Sequence, residues 1–384
     1  MKKLIDLKLK GKVVLLRADV NSDVVRGKVL LGERLKETAK TVKLLKKKGA
    51  RVVIMGHQGN VGKDDFISLR QHAKLLSQFV KVKFVDDVIG RKAVLSITKL
   101  KDGEAILLNN IRFVDDEFFP KKKDNSIVKA LLPICDLYVN DAFSVCHRSH
   151  TSIVSFPKVL PSACGLLLSK ELDSIKKVSM KKCVYILGGA KPETNIKLLK
   201  GNKVLACGLF GQTCLVANGK NLGYQNGFLK KATLVKGGYR GFILKLKRRQ
   251  KNVVTPVDFA VRVENKRKEF SLNEFPLDYQ IDDIGSETIK KYVKIIEKAP
   301  AIYMKGPAGF SSDKLFSKGT NALLEAVSRC KGFTLVGGGH LSDAIDRSKI
   351  SKKKFGHISL SGGALLNYVA GEKLAGLKAL GWYK

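Results

Sequence analysis

The chain has 384 residues, with 72 Lys and Arg against 34 Asp and Glu, and a formal net charge of +38. This length usually gives two domains, and a hydrophobic content of 44% is sufficient for globular cores. No apolar run reaches the roughly 18 residues of a membrane span, and the lysine-interrupted start of the chain has no cleavage pattern, so we expect neither a transmembrane helix nor a signal peptide.

The positive charge comes mainly from lysine, and it is densest at 43–48, 121–123, 181–182, 246–251 and 352–354. Such a surface binds nucleic acid non-specifically at low salt. No nucleic-acid-binding motif accompanies the charge, so we expect no specific nucleic-acid partner and no membrane partner. The seven cysteines are dispersed and never spaced as CxxC. This pattern favours reduced cysteines in a cytoplasmic protein, without a disulfide or metal framework.

The first half alternates strands and helices. The predicted strands are 12–17, 51–56, 82–85, 104–109 and 136–139, and the predicted helices are 34–48, 67–80 and 125–132. This alternation predicts a parallel sheet with helices on both faces.

Polar and basic residues follow several of these strands, namely Arg17, Asp19, Asn21, His57, Arg112, His147 and Arg148. Ligands of open parallel sheets bind at the carboxyl ends of the strands, so this set is expected to converge on one anionic ligand. Each residue alone is more typical of a surface or capping position, and the ligand interpretation is favoured only for the set taken together.

The second half repeats the alternation after a predicted helix at 162–177. The predicted strands are 183–187, 203–206, 253–256, 301–304, 333–336 and 357–360. A helix is expected to begin near Ser342, and a last helical stretch covers 364–380. The basic segment 235–250 fits either an exposed helix or a hairpin.

Three glycine-rich turns, at 188–191, 306–309 and 337–340, each follow a predicted strand. Bare backbone amides and helix starts in such turns attract polyanions, and Lys191 adds a movable point charge. The spacing matches neither the P-loop nor the GxGxxG fingerprint. An ordinary strand-to-helix turn is therefore the alternative for each of them.

Eight ordered motifs together resemble the phosphoglycerate kinase family: RADVN, HQG, NNIRF, VNDAF with HRSH, ILGGAK, PVDFAV, GPAG and VGGGH. HQG, YQIDDIG and the histidine after the GGG turn resemble the archaeal branch. The resemblance covers essentially the whole chain. It implies an α/β fold of two doubly wound parallel-sheet domains: a 3-phosphoglycerate-binding domain at 1–161, an interdomain helix at 162–177, a nucleotide-binding domain at 178–360, and a segment at 361–384 that returns to the N-terminal domain.

The resemblance also implies a reaction. It would be a step of glycolysis and gluconeogenesis, in which a phosphoryl group passes reversibly from 1,3-bisphosphoglycerate to ADP and gives 3-phosphoglycerate and ATP. The transfer would be direct and in line, after closure of a hinge. ATP or ADP would be the nucleotide substrate with Mg²⁺, and the metal ligands are unassigned. A cytoplasmic monomer is expected. Removal of one phosphate-binding arginine in such a site costs on the order of 10³-fold in rate.

The family pattern assigns roles residue by residue. Arg34 and Lys191 match the catalytic positions. The substrate-binding positions are Asp19, Val20, Asn21, Arg34, His57, Gln58, Gly59, Arg112 and Arg148. The nucleotide-binding positions are Gly188, Gly189, Lys191, Gly208, Gly306, Pro307, Gly309, Gly337, Gly338, Gly339 and His340.

The chain departs from the family pattern at several of its positions: Asn60, Thr194, Asn195, Lys305, Ser312 and Leu360. The family usually has Arg or Lys at the first, Asp and often Lys at the next two, Asn before GP, and a ribose-binding Glu where Ser312 lies. Most departures fall in the nucleotide half. A kinase-fold protein with weakened turnover that retains ligand or nucleic-acid binding is therefore the alternative, and another small-molecule kinase is a third.

Overall fold

The computed structural model describes residues 1–178, 182–233, 235 and 237–383. The chain forms two compact units, one of Met1–Asp173 with Gly371–Lys384 and one of Ser174–Ala370. The lysine at 181 in the predicted run 181–182, and the positions 179, 180, 234 and 236 of the predicted nucleotide-binding domain, lie outside the described residues, as does 384 of the C-terminal segment. Across the described ranges, no helix combines the length and apolar character of a membrane span.

Up to Asp173, the first unit contains nine strands and five complete α-helices of the described chain, and a sixth helix begins in it and continues into the second unit. The strands are β1 Lys2–Lys3, β2 Val13–Arg17, β3 Val24–Val25, β4 Lys28–Val29, β5 Arg51–Met55, β6 Lys83–Val85, β7 Ala105–Leu108, β8 Leu137–Asn140 and β9 Ser162–Cys164. The helices are α1 Glu33–Lys47, α2 Arg70–Leu76, α3 Arg91–Thr98, α4 Ser126–Leu131, α5 Thr151–Val154 and α6 Leu166–Lys177.

Seven of these strands form one sheet in the order β1-β9-β8-β2-β5-β7-β6, and every pair is parallel. Val14, Leu15 and Leu16 of β2 are all fully buried. Successive side chains of a strand point to opposite faces, so both faces of the sheet are covered. β3 and β4 pair separately as a short antiparallel ribbon.

The second unit contains the next nine strands and eight helices. The strands are β10 Val184–Leu187, β11 Val204–Ala206, β12 Val253–Val254, β13 Asp258–Val263, β14 Lys266–Ser271, β15 Ile281–Ile284, β16 Ala301–Lys305, β17 Phe333–Gly337 and β18 His357–Ser359. The helices are α7 Pro192–Asn195, α8 Gly208–Ala217, α9 Tyr224–Ala232, α10 Gly238–Arg249, α11 Ser286–Glu297, α12 Lys318–Arg329, α13 Gly339–Ser348 and α14 Gly363–Val369.

The main sheet of this unit is six-stranded and parallel, in the order β12-β11-β10-β16-β17-β18. The predicted α/β fold with two parallel sheets is thus confirmed. A three-stranded antiparallel sheet, β14-β13-β15, was not predicted. Strand β14 has the mostly charged sequence KRKEFS. Apolar and polar residues do not alternate in it, so the sequence gives little indication of a strand.

Two helical predictions need correction. Residues 162–177 are not one helix, because Ser162–Cys164 form the strand β9 beside β8 and β1. The stretch 364–380 is interrupted after α14 by Gly371, whose φ of +78° ends the helix, and α15 follows at Ala375–Ala379. In α15, the Gly376 N–H donates to the Cys146 carbonyl at 2.8 Å, which attaches the C-terminal segment to the first unit.

The structure also gives the start of one predicted helix and the conformation of one segment that the sequence left open. The helix expected near Ser342 begins earlier, at Gly339, directly after β17. The basic segment 235–250 contains α10 rather than a hairpin.

Candidate active site

The predicted acid-binding residues of the first unit lie at the carboxyl edge of its sheet. Asp19 follows β2, His57 follows β5, Arg112 follows β7 and Arg148 follows β8. These four strands are neighbours in the order β8-β2-β5-β7, so parallel pairing places all four loops at one edge. Arg34 belongs to the first turn of α1.

Arg17 orients His57. The fully buried Arg17 side chain lies with Nη2 3.0 Å from His57 Nδ1, while its Nε donates to Ser152 Oγ at 2.9 Å. A guanidinium only donates, so His57 Nδ1 accepts and the ring proton is on Nε2. Arg17 therefore fixes the tautomer of the His57 imidazole. Its Nη2 is bonded to the ring and is not directed at a ligand.

His57 is neutral in this environment. Burial lowers the pKa of His57 well below its usual range, and the positive charges of four arginines lower it further, those of Arg17, Arg112, Arg148 and Arg34. The neutral ring offers one N–H donor to an anion, and the positive charge of the site comes from the arginines.

Arg112 has donors that the protein does not use. It is 3% exposed, and its Nη1 donates to the Gly59 carbonyl and, at 2.9 Å, to Asn60 Oδ1. Its Nε and Nη2 are buried without a hydrogen-bond partner among the described residues. Burial, followed by the charges of Arg148 and Arg17, lowers the pKa of Arg112 to about 10. Unpaired donors on a buried cation are costly, and a bound anion would satisfy them.

Arg34 is anchored to the loop after β2. Its Nη1 donates to the Asn21 carbonyl at 2.9 Å, and its Nε lies 3.5 Å from Asp19 Oδ2. Asn21 Oδ1 in turn accepts from the Gly59 N–H at 2.9 Å, which joins the loops after β2 and β5. These contacts place Arg34, Asp19 and Asn21 in one connected group.

Gln58 and Val20 position this loop pair. The fully buried Gln58 accepts from the Ser22 N–H at 2.8 Å, donates to the Ser22 carbonyl at 3.0 Å, and contacts His72 Nε2 at 3.0 Å. Val20 is also fully buried, and a side chain on Gly56 would collide with it. Both side chains are therefore committed to packing within the unit.

Sequence reasoning missed three residues that support the site. Asn110 donates to the carbonyls of Gln58 and Ile67 at 2.8 and 2.9 Å, and its position after β7 was an available signal. Glu117 is buried and accepts from the Ser152 hydroxyl at 2.6 Å; burial raises its pKa, opposed by the nearby Arg17 charge. Burial, followed by the positive charge of Arg112, lowers the pKa of His150 to about 3. His150 ends the HRSH motif, which was the available signal for it, whereas Glu117 belongs to no local pattern that indicates its position.

In the second unit, the glycine-rich turns bond to one another. The N–H groups of Gly188, Gly189 and Gly208 donate to the carbonyls of Lys305, Pro307 and Ala308 at 2.8, 2.8 and 2.9 Å. The expectation of bare amides is therefore wrong for Gly188 and Gly189, which belong to the turn 188–191. A Cβ on Gly188 would lie 2.2 Å from the Pro307 carbonyl oxygen, so glycine is needed there for the turns to approach.

A cavity of about 590 Å³ opens beside these turns. It has apolar side chains, including Leu209, Phe228, Ile281 and Phe310, and polar ones, including Gln212, Gln280, Asp282, Ser311, Ser312, Asp343 and Arg347. This size and mixture are typical of small-molecule sites.

The cavity brings together only part of the predicted nucleotide set. Its lining includes Gly189, Gly208, Pro307, Gly309 and His340. The others lie outside the lining: Gly188, Lys191, Gly306, Gly337, Gly338 and Gly339. Lys191 is exposed and directly precedes α7.

Comparison with known proteins is consistent along the whole chain. The family model for phosphoglycerate kinase matches residues 4–372. A phosphoglycerate kinase from Sulfolobus acidocaldarius is 38% identical, covering 98% of this chain and 94% of that protein. One from Methanobacterium bryantii is 37% identical, covering 96% and 94%. The crystal structure of phosphoglycerate kinase from Pyrococcus horikoshii OT3 superposes with a TM-score of 0.90 at 33% identity, covering 99% of this chain and 98% of that one. The chain therefore belongs to the phosphoglycerate kinase family, whose members are kinases that transfer a phosphoryl group to the carboxyl group of 3-phosphoglycerate.

Proposed function

We propose that the chain catalyses reversible phosphoryl transfer between 1,3-bisphosphoglycerate and ADP, with the first unit binding the phosphorylated acid and the second binding the nucleotide. The family assignment gives the reaction. The observation that carries the placement of the acid is Arg112, whose two buried donors have no partner among the described residues.

The 3-phosphate of the acid is proposed to bind to Arg112, Arg148 and the His57 Nε2–H. Arginine suits a phosphate because its planar fork donates two parallel hydrogen bonds. Asp19 and Asn21 would bind the glycerate hydroxyl end. Arg34, anchored to both of them, would reach the transferring group.

The nucleotide is proposed to place its base and ribose in the cavity of the second unit. Phe228, Phe310 and Ile281 offer apolar surface to a base, and Ser312 or Asp282 would face the ribose. Lys191 would then contact the phosphates.

Members of this family generally use ATP or ADP with Mg²⁺. No group of three or more potential ligands for a metal occurs among the described residues. Helix α7, which follows the turn 188–191, has one carboxylate, Glu193, whose Oε2 is buried without a hydrogen-bond partner in the described chain. Mg²⁺ beside nucleotide phosphates commonly takes one or two carboxylates, so Glu193 fits this role. The bound ion would supply charge neutralisation on the phosphates.

The chemistry requires alignment and charge neutralisation more than covalent catalysis. The acceptor carboxylate is already ionised, so no general base is needed. Direct transfer requires the two substrates to meet while water is excluded. The two units are therefore proposed to close during turnover.

A cytoplasmic location and a monomeric state are also proposed. All seven cysteines are free thiols, which is compatible with a reducing cytoplasm. Both sets of site residues come from one chain, so a monomer suffices.

The test is acceptor-dependent ATP consumption with Mg²⁺, at moderate salt to suppress non-specific anion binding. ATP consumption is expected with 3-phosphoglycerate and not with glycerate, which lacks the phosphate. Absence of turnover with both ATP and GTP, in folded protein that still binds 3-phosphoglycerate, would support the alternative of a binding protein without turnover. That alternative is favoured by Thr194 and Ser312, the neutral residues at two acidic family positions.

A further inference from the structure

Lys305 lies between two of the glycine-rich turns. It is the last residue of β16, paired with Leu187 on one side and Gly337 on the other. Leu187 directly precedes the turn 188–191, and Gly337 begins the turn 337–340. The Lys305 ammonium is therefore attached at the carboxyl edge of the sheet, at the position where both turns leave it.

The Lys305 ammonium is held by neutral atoms. Its Nζ donates to Asn195 Oδ1 at 2.6 Å and to Thr194 Oγ1 at 2.9 Å. Asn195 Nδ2 in turn donates to the Gly188 carbonyl at 3.1 Å, so the ammonium is tied to the turn itself. An ammonium has three donors, and these contacts use two of them.

This arrangement is unfavourable without an anion. Lys305 is partly buried, and no carboxylate of the described chain lies within ion-pair distance of its Nζ. Burial, the largest cause, lowers the pKa of Lys305 to about 8; the negative charge of Glu193, the next cause, raises it, and the positive charge of Lys191 lowers it. A partly buried ammonium that is held by neutral oxygens and has a second lysine nearby is suited to binding an anion.

We propose that Lys305 binds the terminal phosphoryl group of the nucleotide together with Lys191, and so supplies a further catalytic contact. The inference rests on the proposed nucleotide site and extends it. Gly189 and Ala190 line the base-sized cavity, whereas Lys191 and Lys305 do not. Lys191 directly follows Ala190, and Lys305 directly precedes the turn 306–309, of which Pro307 and Gly309 line the cavity. The phosphates of a nucleotide in the cavity would therefore lie along turns that carry both lysines.

The consequence for turnover follows from charge. The phosphoryl group carries negative charge on its peripheral oxygens during transfer, and a fixed cation in a poorly hydrated turn stabilises that charge more than a hydrated one does. Thr194 and Asn195 act as positioning residues, because their oxygen atoms fix the direction of the Lys305 side chain.

The test compares nucleotides that differ only in their phosphates. AMP and ATP affinities are measured by calorimetry for the wild-type chain and for Lys305→Gln, whose amide N–H can still donate to Thr194 or Asn195. Lys203→Gln, an exposed lysine of the same unit, removes the same charge elsewhere. Lys305→Gln is expected to weaken ATP binding about tenfold or more while AMP binding stays within about twofold, because hydrogen bonds to charged groups are the strong ones. Lys203→Gln is expected to change neither.

A second readout separates a phosphate contact from a structural role. As the pH rises from about 7.5 to about 9.5, Lys305 loses its proton, so the wild-type affinity for ATP relative to AMP falls while that of Lys305→Gln stays level. Equal losses for ATP and AMP, no loss for either, or the same pH dependence in both proteins would overturn the inference.

These measurements need no acceptor substrate, so their failure is distinguishable from failure of the proposed reaction. An ATP-specific loss in Lys305→Gln supports the inference even if 3-phosphoglycerate supports no turnover. Unchanged ATP binding overturns the inference and leaves the proposed reaction intact. A wild-type chain that binds neither nucleotide overturns both.

Discussion

The Arg17 guanidinium donates to Nδ1 of His57 across 3.0 Å, and this bond places the proton of the neutral imidazole on Nε2. Because Arg17 is fully buried, the bond cannot exchange with water when the site is empty. The site thus presents a neutral N–H donor backed by arginines, not an imidazolium. Such a donor binds an anion without adding another buried charge to repel its neighbours.

The first prediction is that His57 stays neutral through its ordinary pKa range. Its pKa is lowered by burial and by arginine charges, so its imidazole resonances should not titrate between about pH 7.5 and pH 5.5. Two-dimensional NMR of histidine-labelled protein measures this directly, with the His57 signals assigned by their loss in His57→Gln. A titration of those signals with a midpoint near 6.5 would show that the Arg17 bond does not control the ring.

The second prediction concerns the unused donors of Arg112. Arg112→Lys keeps the charge but removes the planar fork, so 3-phosphoglycerate affinity should fall about 10- to 100-fold. Calorimetric titration with 3-phosphoglycerate measures the change. Arg51→Lys is the matched control, because Arg51 begins β5 at the opposite edge of the sheet and pairs with the exposed Asp102. Affinity changes of the same size in the two variants would argue against a phosphate contact at Arg112.

The third prediction concerns stability and pH at Asp141. This buried carboxyl accepts from Thr41 Oγ1 at 2.5 Å, and burial raises its pKa to about 7. Between about pH 4 and about pH 7, Asp141 therefore keeps its proton in the folded protein, whereas the same carboxyl has lost it in the unfolded chain. Stability from this group is present at low pH and is lost as the pH rises from about 4 to about 7.

Asp141→Asn removes that ionisation and retains an acceptor for the Leu168 N–H. The variant should be more stable than the wild type above about pH 7, by up to about 4 kcal/mol, with a smaller difference near pH 5. Urea unfolding of both proteins at several pH values gives this difference. A difference that does not change with pH would contradict the raised pKa.

The location of the site was predictable from sequence because strand ends are local features. Asp19, His57, Arg112 and Arg148 each follow a recognisable apolar strand, and parallel pairing alone brings the four together. The separate roles of the site residues were not predictable. Arg17 looks like a ligand residue in sequence, yet it is fully buried behind His57, because the direction of a side chain depends on packing from distant elements such as Ser152.

The fourth prediction concerns the close contact of two turns in the second unit. Gly188→Ala places a Cβ 2.2 Å from the Pro307 carbonyl oxygen, so the turns must separate. We expect a lower melting temperature and at least about tenfold weaker nucleotide binding. Gly227→Ala is the control, because open space surrounds that helical glycine and alanine is about 1 kcal/mol more favourable in a helix. Thermal unfolding and ATP titration of both variants provide the comparison, and equal behaviour would contradict the turn contact.

The strands were predictable from the sequence where consecutive buried residues form a continuous apolar run. The central strands β2, β5, β10 and β16 are apolar runs, and their sequences are sufficient to identify them. The antiparallel sheet around β14 was missed because its charged residues interact across the sheet, as Arg267 does with Asp283 at 2.9 Å. Such pairing depends on distant partners rather than on a period in the sequence. The amides of Gly188 and Gly189 were misjudged for the same reason, since their acceptors are supplied by a later turn.

The central claim is that this chain transfers a phosphoryl group with Arg34 at the acceptor. The most direct measurement is the initial rate of 3-phosphoglycerate-dependent ADP formation from Mg-ATP, for the wild type, Arg34→Ala and the control Arg51→Ala. We predict turnover in the wild type, a loss on the order of 10³-fold in Arg34→Ala, and little change in Arg51→Ala. Wild-type turnover that survives in Arg34→Ala, or no turnover in a wild type that binds both substrates, would contradict the account.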